Sequence, residues 1–166
     1  MMDRQEFVAR FGGIFEHSHW VAERAYDAGL REPLSAEGVH AALCDAFRAA
    51  SDEEKLGVLR AHPDLAGKLA IAGKLTEDSR KEQAGAGLDQ LTAAEHARFT
   101  ELNAAYVAKF GFPFIIAVKG LFKDAILAAF ETRIHHERGE ELETACAQVE
   151  KIARLRLEAL FSENAP

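Results

Sequence analysis

Apolar residues recur along most of this chain at the three- and four-residue intervals of a helix, with polar capping residues ahead of each run. Val39, Leu43 and Phe47 stand four apart behind Ser35, which predicts a helix opening at that serine. Asp3 with Glu6, Ser51 with Glu54 and Thr92 with Glu95 have capping-box spacing, in which a side-chain oxygen and a carboxylate close each other's orphan backbone N–H. Helices are therefore predicted from Asp3 to the Gly12-Gly13 pair, over 16–29 with Gly29 at the end, from Ser35, and from Ser51. The last of these must stop near His62, because Pro63 disfavours helical geometry at the residue before it. A longer helix runs from Thr92 to Phe110 and closes at Gly111, and a final pair covers about 122–138 and 140–161, broken at Gly139.

Phe112-Pro113-Phe114-Ile115-Ile116-Ala117-Val118 is apolar without helical period, so it is expected to be extended and buried, ending at Gly120. Strand signals are otherwise absent, and no linker or low-complexity segment divides the chain. The expected fold is all-α: one domain over 1–166, a helical bundle with one irregular apolar segment near 112–118.

Composition removes several functions from consideration. Hydrophobic residues at 48% and charged residues at 28% fit a soluble globular protein. A net charge of −7 without any long basic run argues against nucleic acid or an anionic membrane as partner, though a small anionic substrate needs only a few arginines. Cys44 and Cys146 lie far apart and outside any CxxC pattern, which favours a reducing compartment over a disulfide scaffold. MMDRQEFVARFGG lacks the apolar core of a signal peptide, no apolar run nears the ~20 residues that span a bilayer, and SENAP is not an SKL-type address. A cytoplasmic protein is expected.

Four stretches could carry chemistry. AGKL at 66–69 and 72–75 echoes a phosphate loop, but five residues separate Gly67 from Gly73 and Leu75 follows Lys74, so the echo is set aside. His17-Ser18-His19 and His135-His136 suggest metal ligands, yet i, i+2 and i, i+1 pairs on a helix do not share a face; no metal site is expected. His62 titrates near neutrality where a helix has just ended, with Pro63 fixing the backbone; a helix-terminal histidine serving the last carbonyls is the plainer alternative. In Ser79-Arg80-Lys81-Glu82-Gln83, steps of about 100° put the hydroxyl, carboxylate and amide of Ser79, Glu82 and Gln83 on one face. Ala84 to Gly87 follow, leaving room for a ligand or another backbone; a solvated helix with a glycine cap would look the same. On residue chemistry alone the chain is a helical enzyme or a binding domain.

Five stretches, in order, resemble one family: FGGIFEHSHWVAERA (11–25), AHPDLAGKLA (61–70), LTEDSRKEQAGAGL (75–88), FTELNAAYVAKFGFPFIIAVKG (99–120) and IARLRL (152–157). They resemble 2-oxo-4-hydroxy-4-carboxy-5-ureidoimidazoline (OHCU) decarboxylase, which forms (S)-allantoin on the route from urate. The resemblance implies an all-helical homodimer without a cofactor, with His62 in acid–base catalysis and Glu82 beside it. It implies a substrate pocket lined by Pro63, by Ser79, Arg80, Lys81, Glu82 and Gln83, and by Phe114, Ile115, Ile116, Ala117 and Val118. An arginine of the last helix is expected to help, with Arg156 preferred over Arg133 and Arg154. A non-enzymatic helical interaction module and a metal-dependent helical hydrolase are the competing readings; turnover in a chelator-treated sample separates all three.

Overall fold

The computed structural model describes residues 2–163, which are helical in nine segments and contain no strand. In order these are α1 (Arg4–Phe11), α2 (Trp20–Asp27), α3 (Ala36–Arg48), α4 (Asp52–Ala61), α5 (Lys68–Ile71), α6 (Glu77–Gly85), α7 (Ala93–Phe110), α8 (Lys123–Arg133) and α9 (Arg138–Glu163). Two compact units form, one from Met1–Ala61 with Val149–Pro166 and one from His62–Gln148. None of these helices is long and apolar enough to cross a membrane. The last three residues of SENAP lie outside the described residues.

In the first unit the expected caps are formed. Asp3 and Glu6 accept each other's backbone N–H at 2.9 Å, and Ser51 and Glu54 do the same at 3.0 and 3.1 Å. The α3 stripe of Val39, Leu43 and Phe47 is fully buried, with Phe47 against Phe15 at 5.3 Å between centroids. Cys44 sits in the same layer, where burial first, and the Glu150 carboxylate second, push its thiol up to about 12.

The helix expected over 16–29 is shorter than the pattern suggests. His17 adopts a left-handed backbone at φ 51, which no helix accepts, and α2 begins only at Trp20. The cause is tertiary: Glu16 is buried and its Oε2 takes Arg156 Nη2 at 2.8 Å, so the chain turns inward exactly where the local pattern favours continuing. Neither His17 nor His19 therefore lies within a helix, so helical spacing does not decide whether the two rings share a face.

The second unit is built around Tyr106, whose ring lies 4.5 to 5.9 Å from those of Phe110, Phe112, Phe114 and Phe130. Phe114 stacks on Phe130 at 4.0 Å. These contacts draw residues 112–118 into the core as an irregular segment, with Ile116 alone half-exposed. Gly139 does not break a helix. It falls in the first turn of α9, where its N–H would be unpaired in any case, and the break lies at 134–137 between α8 and α9.

Candidate active site

His62 follows directly on the last residue of α4 and is buried, at 8% exposure. Behind Pro63 the chain turns through Asp64, Leu65 and Ala66, and Ala66 is held at φ 53, a left-handed conformation that is unusual for a residue with a Cβ. Burial raises the Asp64 carboxyl above its usual range.

On α6, Thr76 caps the first turn by accepting from Ser79 N at 3.2 Å. Ser79 and Gln83 are buried and Glu82 is half-buried, so these three do share the inward face that their spacing requires. Arg80 and Lys81 point the other way. Both are exposed and both meet Glu77, at 2.6 and 3.8 Å. Arg80→Ala with Lys81→Ala should leave kcat and KM within about threefold, as exposed positions usually do; a larger rise in KM would return these side chains to the pocket.

Gln83 has a role that the sequence did not show. Its Oε1 accepts from Ala66 N at 2.9 Å and its Nε2 donates to Asp64 O at 3.3 Å. One amide thus ties the segment behind His62 to the face carrying Ser79 and Glu82. The small residues after Gln83 serve packing at one point: Gly87, at φ +79, lies under Phe122, and a Cβ there would stand 2.5 Å from its ring.

The 112–118 segment is held from behind. Arg133 Nη1 donates to Ile115 O at 2.7 Å, and Ala117 N donates to Gln148 Oε1 at 2.9 Å. Two of the backbone groups expected to serve substrate are therefore occupied, whereas the N–H and C=O of half-exposed Ile116 bond to none of the described residues. Arg133 is itself fixed: its Nε donates to Glu141 Oε1 at 2.6 Å and its guanidinium lies 4.4 Å above the Phe114 ring. Tyr106 donates to the same Glu141 oxygen at 2.6 Å, and His136 Nδ1 stands 3.2 Å from Oε2. Burial, then the Glu141 carboxylate, push the Tyr106 phenol well above its usual range, so it remains a donor.

Of the candidate arginines, Arg154 is exposed and meets Glu158 at 3.6 Å, while Arg133 is committed to Glu141 and Ile115. Arg156 belongs to the first unit, buried against Glu16, with its Nη1 3.4 Å from Ile14 O; the family resemblance alone carries its expected substrate role. No three His, Cys, Asp or Glu side chains among the described residues gather as a metal-ligand set. His19 packs its ring over Gly12, and His136 is turned to Glu140 and Glu141. Glu141, Gln148 and Asn103 (whose amide donates to Leu65 O at 2.9 Å) carry no signal in the sequence, and Arg133 stands there only as an alternative to Arg156. Their partners lie across helix breaks or tens of residues away, where no spacing rule reaches.

Known proteins match this chain over nearly its whole length. The family model described as OHCU decarboxylase matches residues 1–158. The 2-oxo-4-hydroxy-4-carboxy-5-ureidoimidazoline decarboxylase of Haloferax volcanii is 44% identical over 163 residues, covering 98% of this chain and 94% of that protein. A crystal structure of (S)-allantoin synthase superposes with a TM-score of 0.77 at 34% identity, over 96% of this chain; the match spans about half, 51%, of that longer chain. An OHCU decarboxylase structure determined in the presence of (S)-allantoin shares the fold, with a TM-score of 0.70 at 23% identity over 97% of this chain and 99% of that one. By its sequence from residue 1 to residue 158, the chain belongs to the OHCU decarboxylase family.

Proposed function

We propose that this protein is a carboxy-lyase that converts OHCU to (S)-allantoin in the degradation of urate, with no metal or organic cofactor. The observation that carries the reading is the Gln83 amide, which joins the segment behind His62 to the helical face of Ser79 and Glu82. The relatives supply the reaction; this junction supplies an acid–base group and a carboxylate on neighbouring pieces of backbone.

The substrate accounts for the absence of a cofactor. The ring carbon that carries the carboxylate also carries a hydroxyl and adjoins a C=N carbon. When the C–CO₂ bond breaks, its electron pair moves into the ring and onto that C=N nitrogen, so the substrate is its own electron sink. The hydroxyl loses its proton as the carbonyl forms, and the former C=N carbon takes a proton on one face. His62 is the group to move those protons. Glu82 orients or polarises the hydroxyl, and the Ile116 N–H and C=O can meet the polar edge of the ring or ureido group. Arg156 is retained as the candidate substrate-binding arginine on the strength of the resemblance.

Circular dichroism of freshly generated OHCU tests this directly. Faster appearance of one allantoin enantiomer, unchanged after dialysis against EDTA, is the expected result; no acceleration, or loss on dialysis restored by zinc or manganese, overturns it. Glu82→Gln should lower kcat by about 10–10²-fold if the charge matters to proton transfer, and Glu82→Ala should lose as much. Near-native rate in the Gln variant would reduce Glu82 to an orienting role.

The working form is proposed to be a homodimer in the cytoplasm, partnered by neither nucleic acid nor membrane. Two cysteines that form no disulfide fit a reducing compartment, and the exposed side chains of Ile71 and Phe122 offer apolar surface that a second copy could cover. Sedimentation of the purified protein at twice the monomer mass is the expected outcome.

A further inference from the structure

The segment behind His62 is held more firmly than a surface turn needs. Three consecutive residues are gripped by two amides from two helices: Gln83 of α6 takes Asp64 O at 3.3 Å and Ala66 N at 2.9 Å, and Asn103 of α7 takes Leu65 O at 2.9 Å. Within that grip Ala66 sits at φ 53. Such a conformation persists only where its surroundings over-determine it, and strain of this kind gathers at working sites.

Asn103 bears a cost of its own. It is 7% exposed, its Nδ2 is used by Leu65, and its Oδ1 is buried without a hydrogen-bond partner among the described residues. A buried acceptor left unmade is unfavourable, so the position is poorly explained by packing alone. What the Asn103 amide supplies there, and an apolar side chain would not, is a donor aimed at the Leu65 carbonyl, three residues beyond His62.

We propose that Asn103 is a positioning residue for the reaction: with Gln83 it forms a two-amide clamp on residues 64–66 that fixes where the His62 ring stands. This rests on the reading of His62 as the acid–base group. It also makes Gln83 a holder of the protein's own backbone, since each end of its amide has a backbone partner there.

Near-isosteric substitutions test the clamp. Asn103→Asp removes the donor to Leu65 at nearly constant shape, Asn103→Leu removes it without adding charge, and Gln83→Glu keeps the Ala66 bond while losing the one to Asp64. Each should melt cooperatively, lose kcat by about 10–10²-fold as a misplaced catalytic group does, and keep KM within about threefold. In a His62→Asn background the same changes should cost less than about threefold more, because a group acting only through His62 has nothing left to position. Full additivity in that background, a loss confined to KM, or native kcat in the variants overturns the clamp. If Asn103 variants fail to fold, Gln83→Glu decides alone by the same criteria. Near-native turnover of His62→Asn by itself would instead sink the assignment of His62, a distinguishable failure.

Discussion

His62→Asn folds as the native chain does and loses turnover by about 10²–10⁴-fold, the usual worth of a positioned general acid or base. Asparagine is smaller than the ring it replaces but keeps a planar group at Cγ that can donate and accept, so Pro63 and the clamped residues 64–66 keep their conformation. What disappears is the imidazole, a side chain that can both take up and release a proton. The measurement is kcat for enantiomer formation from fresh OHCU, beside a thermal melt that shows the variant folded. A rate within tenfold of native would move the proton chemistry to another side chain.

Arg133→Met should destabilise the protein by about 3–5 kcal/mol, the cost of leaving a buried charge without its partner. Glu141 is 0% exposed, and without the guanidinium its carboxylate retains the Tyr106 hydroxyl and the half-exposed His136 ring. Urea unfolding reads this as a lower midpoint. Replacing both partners, Arg133→Met with Glu141→Leu, should recover most of the loss, because an apolar pair is often no worse than the ion pair it replaces. Arg133→Lys is the sharper variant for function: it keeps the charge but puts every donor on one nitrogen, where the guanidinium reaches Glu141 and the Ile115 carbonyl from two. That variant should therefore fold, yet hold residues 114–118 less well and bind substrate more weakly. An Arg133→Met midpoint equal to native would show that the pair contributes nothing.

The helices were legible where caps and periodicity agree, as at Asp3, Ser51 and Thr92, because those signals act within one turn. The reading failed where a distant contact decides the backbone. Nothing local in EHSHW shows that Glu16 turns inward to Arg156, and nothing local at Gly139 shows that α8 has already ended at Arg133, with His136 three residues before the glycine facing Glu141. The shared face of Ser79, Glu82 and Gln83 followed from helical geometry, whereas the occupation of the Gln83 amide by residues 64 and 66 depends on how the loop packs. Asn103 and Gln148 carried no signal, since an amide that binds backbone looks in sequence like any polar residue.

Dissolved salt should reach the ion pairs of this protein very unequally. Arg4–Asp27, Arg98–Glu131 and Arg154–Glu158 stand in solvent, and at the ionic strength of a cell, where the screening length is about 8 Å, they are weak and fade further as salt is added. Arg133–Glu141 and Arg156–Glu16 are closed off from mobile ions. Brine can thus loosen the protein's outer contacts while the Ile115 carbonyl keeps its anchor, which decouples the shape of the 114–118 backbone from the salinity in which the protein works.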